Sequence, residues 1–301
     1  MDNRIAVFRR GGAMFSNLWS VTGFLARAEI EGWQPLVDFQ TEKPMNYFES
    51  ELPRNGWTDY FAQVSDLSLD DVLESGNFRV FDERPTTFPI AEYSQDSNYG
   101  NLFRERIHLN HELALYVSQW LEFLAAHKNI LGVHFRGTDM RVAKSHWAPP
   151  TQFQMLSIID RALDEGGFSF IFVATEDSKN LQALRRRYGG AVITTDSFRT
   201  GESRKLSRMD SPILQWRYLL GKQVIRDAWL LGHCDGLVSG HSNVSEHAQV
   251  LAGSRYRVNL QIRRPRVDVL GSAKLMISAS NFLRSATVAR FEGPDFRVIK
   301  R

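Results

Sequence analysis

From Ile130 onward, short apolar runs of strand length alternate with stretches of helical periodicity, and this alternation constrains the fold more than any other feature of the chain. Ile130 to His134 reads as a strand, Phe153 to Leu163 as a helix, Phe168 to Val173 as a strand, Ser178 to Tyr188 as a helix and Ala191 to Thr194 as a strand. Ser211 is expected to cap a long helix with Pro212 at its first position, running to about Gly232. A strand Gly236 to Ser239, a helix from about Asn243 to Leu251 and a closing strand Tyr256 to Ile262 complete the series. Strands joined by helices in this rhythm build a parallel, doubly wound sheet.

The first half is less regular. A β-α-β unit is expected from a strand Arg4 to Phe8, a loop through Ser16, a helix Asn17 to Glu31 stopped by Gly32, and a strand Pro35 to Asp38. From Phe39 to about Asn101 the chain is rich in aromatic and turn residues, including Tyr47, Phe48, Trp57, Tyr60 and Phe61, with a short helical piece Leu69 to Leu73. A long helix from Phe103 to His127 carries Leu109, Leu113, Val117, Trp120, Leu121 and Leu124 at helical spacing. At 301 residues the chain is long enough for two domains. The expected division is 1–127, an N-terminal α/β domain, and 128–301, a C-terminal Rossmann-like domain.

In a parallel sheet the carboxyl ends of the strands share one edge, and ligands bind there. Three strand ends of the second half carry polar side chains that a buried strand does not need: His134-Phe-Arg136-Gly-Thr138-Asp139, Thr175-Glu176-Asp177, and His241-Ser242-Asn243-Val-Ser245-Glu246. Arg136 offers a forked guanidinium for phosphate oxygens, and a helix opening at Ser242 presents backbone N–H groups and a favourable dipole. Asp177 is either a base or ribose acceptor or the cap of the helix that follows. Asn243 and Glu246 match a capping-box pattern, and His134 serves equally to order its loop.

These segments, together with Asp227-Ala-Trp-Leu-Leu-Gly-His-Cys-Asp235, resemble the three short motifs of the fucosyltransferase superfamily that includes the rhizobial nodulation fucosyltransferase, the core α1,6-fucosyltransferases and the protein O-fucosyltransferases. The resemblance covers roughly residues 130–250. It implies a GT-B-like α/β fold, two Rossmann-like domains facing a cleft, and inverting, metal-independent transfer of a sugar, fucose first, from GDP-fucose to a glycan or glycoconjugate. It assigns Arg136 to the donor's β-phosphate, Asp139, Asp177 and Asp227 to the donor site, and Ser242 to the phosphate-binding turn. The donor-binding set becomes Gly12, His134, Arg136, Thr175, Glu176, Asp177, Asp227, Ser242 and Asn243, and the catalytic set Arg136, Asp139 and His146. Gly11-Gly12 with Phe15-Ser16-Asn17 looks like the glycine loop that opens the family's first domain. No cofactor is implied beyond the GDP-sugar substrate. The chain has no Asp-x-Asp motif, so arginine and a helix terminus are expected to neutralise the leaving diphosphate.

Two departures stand out. Gly137 follows Arg136 where many relatives carry a second basic residue, and Lys144 stands nearest to the glutamate proposed as base in core fucosyltransferases. His146, Asp139 and Asp38 remain candidates for the base. A net charge of +3 does not mark a nucleic-acid binder, and Arg255, Arg257, Arg263, Arg264 and Arg266 read either as a solvated edge or as a patch for peripheral contact with an anionic membrane or glycan. One cysteine, Cys234, excludes an internal disulfide, and a cytoplasmic setting is expected. The competing readings are a sulfotransferase using the 9–17 loop and an inactive glycan-binding protein stacking sugars on the aromatics between Tyr47 and Phe61.

Overall fold

The computed structural model describes residues 5–9, 14–39, 47, 55–81, 97–137, 148–202 and 206–263, together with the backbone of 287–292 and 295–299. They fall into two compact units, one drawn from 1–118 and 211–223, the other from 119–210 and 224–301. The division differs from the expected cut after residue 127, because 211–223 joins the first unit and the end of one helix the second.

In the first unit β1 (Ile5–Phe8) lies between β2 (Gln34–Val37) and β3 (Arg79–Phe81), all parallel. Between β1 and β2 runs α1 (Met14–Glu31), which buries Leu18, Val21, Phe24 and Leu25, and Phe24 meets Phe8 at 5.3 Å between ring centroids. Gly32 ends it at φ +67°, a left-handed conformation that costs glycine little. A short α2 (Leu69–Ser75) is capped by Ser68. The long helix expected from Phe103 to His127 is two, α3 (Ser97–Arg106) and α4 (His111–Ala125). Asn110 breaks the run, because its side chain accepts from Leu113 N at 2.8 Å and so starts a new helix.

The second unit holds a seven-stranded sheet. Its parallel part comprises β4 (Ile130–His134), β5 (Phe170–Ala174), β6 (Val192–Ile193), β7 (Gly236–Gly240) and β8 (Val258–Arg263). Around it lie α5 (Gln152–Gly166), α6 (Ser178–Tyr188), α7 (Trp216–His233) and α8 (Asn243–Ala252). Two antiparallel strands that the sequence did not announce, β9 (Thr287–Glu292) and β10 (Asp295–Ile299), extend the β8 edge. The order is β10-β9-β8-β7-β4-β5-β6. The chain thus steps outward from β4 through β5 to β6, then returns to the far side of β4 for β7 and β8.

All five residues of β4 are buried, which explains the unbroken apolar run. Leu131, Val133, Ile171 and Val173 pack with Met155 and Ile159 of α5 and Leu181 and Leu184 of α6 in one core. At Gly132 a Cβ would lie 3.1 Å from Leu231 and 3.2 Å from the Cys234 sulfur, so glycine is what lets α7 approach the strand. Cys234 is buried, and burial pushes its thiol up. The helix α7 begins at Trp216 rather than at Ser211. Gln215 has φ +55°, a left-handed conformation that interrupts a helix, and Ser211 caps only a local turn through Ile213 N at 3.2 Å. Among the described residues no helix is long and apolar enough to cross a membrane.

Candidate functional site

The β4–β7 boundary is where the strand order reverses, and open parallel sheets bind ligands beyond the carboxyl ends of their strands at such a point. His134, the last residue of β4, pairs in register with Ser239 of β7, so both ends reach one edge together. His134 Nδ1 lies 3.2 Å from Ser242 Oγ. Ser242 also caps α8 by accepting from Ser245 N at 3.2 Å, while the Ser245 hydroxyl reaches the carbonyls of Gly240 and Ser242 at 3.0 and 2.9 Å. The cap is therefore Ser242 with Ser245, not the Asn243–Glu246 box that the spacing suggested. Asn243 stands at the first helical position, partly exposed, and its carbonyl meets His247 Nδ1 at 2.7 Å.

Burial, with the nearby Arg136 charge adding to it, pushes His134 down to about 3, so the imidazole is neutral. Arg136 is half-buried two residues beyond the strand, between buried Phe135 and buried Gly137. Its loop is pinned from β5. Thr175 Oγ1 donates to Phe135 O at 2.6 Å, and Gly137 N donates to Glu176 Oε1 at 3.1 Å. Glu176 and Thr175 thus position the arginine loop through the backbone. Asp177 is the cap of α6, its carboxylate accepting from Lys179 N at 2.8 Å and Asn180 N at 3.3 Å.

Asp227 belongs elsewhere. On α7 its carboxylate accepts from Thr195 Oγ1 at 3.0 Å, Ser197 Oγ at 2.8 Å and Arg226 Nε at 3.0 Å. Arg226 is wholly buried, its guanidinium 4.5 Å from the Trp120 ring centroid. This network holds the segment after β6, and its spread over three elements hid it from sequence reading. Gly12, Asp139 and His146 lie outside the described residues. The structure therefore brings together His134, Arg136, Ser242 and Asn243, with Thr175 and Glu176 in support.

In the first unit Asp38 is wholly buried, and its Oδ2 accepts from Arg9 Nε at 2.9 Å. A carboxylate closed to solvent and paired with arginine is placed to hold Arg9 rather than to meet an acceptor hydroxyl. The aromatics Trp57, Tyr60 and Phe61 are also fully buried, with Trp57 stacked on Phe61 at 4.5 Å. They are core, which removes them as a sugar-stacking surface. Of the basic cluster, Arg255 donates to Gly232 O at 2.7 Å, Arg257 to Asn129 Oδ1 at 3.2 Å and Arg263 to Gln261 Oε1 at 2.8 Å. Each is engaged within its own unit. Among the described residues no group of three or more His, Cys, Asp and Glu side chains is arranged to hold a metal ion.

No protein-family model matches the chain, and no curated protein sequence does. Solved structures do. NodZ α-1,6-fucosyltransferase soaked with GDP-fucose superimposes with a TM-score of 0.58 at 14% identity, over 86% of this chain and 94% of that one. Fucosyltransferase NodZ from Bradyrhizobium gives 0.57 at 15% identity, over 86% and 95%. A mutant of Arabidopsis thaliana FUT1 in complex with GDP gives 0.53 at 12% identity, over 95% and 73%. The fold is that of these fucosyltransferases. The expected GT-B-like α/β class holds, and the fucosyltransferase fold extends over most of the chain, beyond the 130–250 region that carried the motifs.

Proposed function

We propose that this chain is an inverting, metal-independent glycosyltransferase that moves a sugar, fucose first, from GDP-fucose to a glycan or glycoconjugate. One observation carries the reading: Arg136, neutral His134 and the Ser242-capped amino end of α8 meet at the switch point of the parallel sheet. Such a site suits a diphosphate. In the reaction the acceptor oxygen bonds to the anomeric carbon as the bond from that carbon to the β-phosphate oxygen breaks, and GDP departs with the electron pair. Arg136 and the helix N–H groups stabilise the growing charge on that oxygen. The acceptor hydroxyl's proton passes to a base, for which Asp139 and His146 are the remaining candidates. The solved neighbours holding GDP-fucose or GDP support this donor.

The test is transfer of labelled fucose from GDP-fucose to a panel of oligosaccharides, with and without EDTA, the product's anomeric configuration being read by NMR. Transfer that survives EDTA and inverts the β-linked donor to an α-linked product is expected. Retention, or loss of activity restored by a divalent cation, would overturn the mechanism.

A further inference from the structure

Beneath α8 lies a buried polar layer. Val238, Leu260 and Ile262 pack into the core with α5, so their strand neighbours Ser239 on β7 and Asn259 and Gln261 on β8 turn to the other face of the sheet. That face is covered by α8, where Gln249 Oε1 accepts from Asn259 Nδ2 at 3.2 Å. Glu246 stands about one helical turn before Gln249, and Gln261 follows Asn259 on the same face of β8. Helix and strand run in opposite directions, so Glu246 comes to lie over Gln261 as Gln249 lies over Asn259. Ser239 is in register beside Gln261, and all three side chains are buried.

Arg263 Nε donates to Gln261 Oε1 at 2.8 Å, which fixes the orientation of the amide. Burial pushes Glu246 up to about 7, and the Arg263 charge works against that rise, so the carboxyl and the amide share one neighbour. Yet Gln261 Nε2, Glu246 Oε2 and Ser239 Oγ are each buried with no hydrogen-bond partner among the described residues. Buried polar atoms in native proteins are satisfied by protein or by internal water, and a water needs two to four such partners. Water fits this set because it accepts from an amide N–H and also donates to a carboxyl oxygen or a hydroxyl. A metal ion does not, since an amide N–H is no ligand for a cation and Arg263 stands beside it.

We propose that one long-lived internal water lies between α8 and the sheet, accepting from Gln261 Nε2 and bonded to Glu246 Oε2 and Ser239 Oγ. It ties the first turn of α8 to β7 and β8, and so braces the turn that carries Ser242, whatever ligand that turn meets.

A crystal structure of the intact protein that shows ordered waters tests this, together with oxygen-17 water relaxation dispersion on wild type, Gln261→Met and Ser239→Val. Thermal unfolding is the folding control. Wild-type density for a water within hydrogen-bond distance of all three atoms is expected, and the dispersion amplitude should fall by about one long-lived water in each variant. Absence of that density, a direct hydrogen bond from Gln261 Nε2 to Glu246 Oε2, or an amplitude that neither variant changes would overturn the proposal. If Gln261→Met does not fold, Ser239→Val, whose methyl groups take up the water's space, decides it by the same amplitude.

Discussion

His134 and His247 are both pushed down to about 3, chiefly by burial, from an ordinary value of 6.5. Between these values the unfolded chain takes up two protons that the folded chain refuses. The stability they contribute is present above pH 6.5 and is lost as the pH falls toward 3. Glu246 has the opposite sign. Raised from 4.5 to about 7, it keeps its proton in the folded state, and its contribution is lost as the pH rises through that window. From pH 6.5 to 5 the net difference grows from about a quarter of a proton to about one, so the slope steepens to about 1.4 kcal/mol per pH unit near pH 5. The urea midpoint should therefore fall on acidification through this range, and His247→Gln should flatten the fall. A wild-type midpoint that stays level or rises would refute the assignment of neutral, buried imidazoles.

At the scale of elements, the strand ends divide into those at the candidate site and those that hold the scaffold. Asp177 read either as a ligand group or as a cap because it follows a strand in a polar triplet, and its Oδ1 caps the amino end of α6. Asp177→Ala should cost about 1 kcal/mol of stability, read as a lowered thermal midpoint, with GDP affinity unchanged. A selective loss of GDP affinity with an unchanged midpoint would return Asp177 to the binding set. The break at Asn110 and the late start of α7 at Trp216 have a related origin. One depends on a side chain capping inside an amphipathic pattern, the other on a left-handed residue that is not glycine, and neither alters the hydrophobic period.

Across the whole molecule, the second unit was the more legible. Strands buried on both faces must read as apolar runs, and β4, β5 and β7 do. The meeting of His134, Arg136 and Ser242 followed from strand order, since parallel strands deliver their ends to one edge. What stayed hidden depended on pairing between distant segments: the Asp227 network with Thr195, Ser197 and Arg226, the burial of Trp57, Tyr60 and Phe61, and the antiparallel addition of β9 and β10. An aromatic-rich stretch looks the same whether it faces sugar or core, because residue type does not report which side of the chain is covered. On the proposed function, the carboxyl ends of β4 and β7 hold a guanosine diphosphate through Arg136. Calorimetric binding of GDP, UDP and adenosine 3′,5′-bisphosphate to the native protein and to Arg136→Ala, with and without EDTA, tests it most directly. EDTA-insensitive preference for GDP that Arg136→Ala weakens at least tenfold is the expected result, and preference for the bisphosphate, or GDP binding indifferent to Arg136, would contradict it.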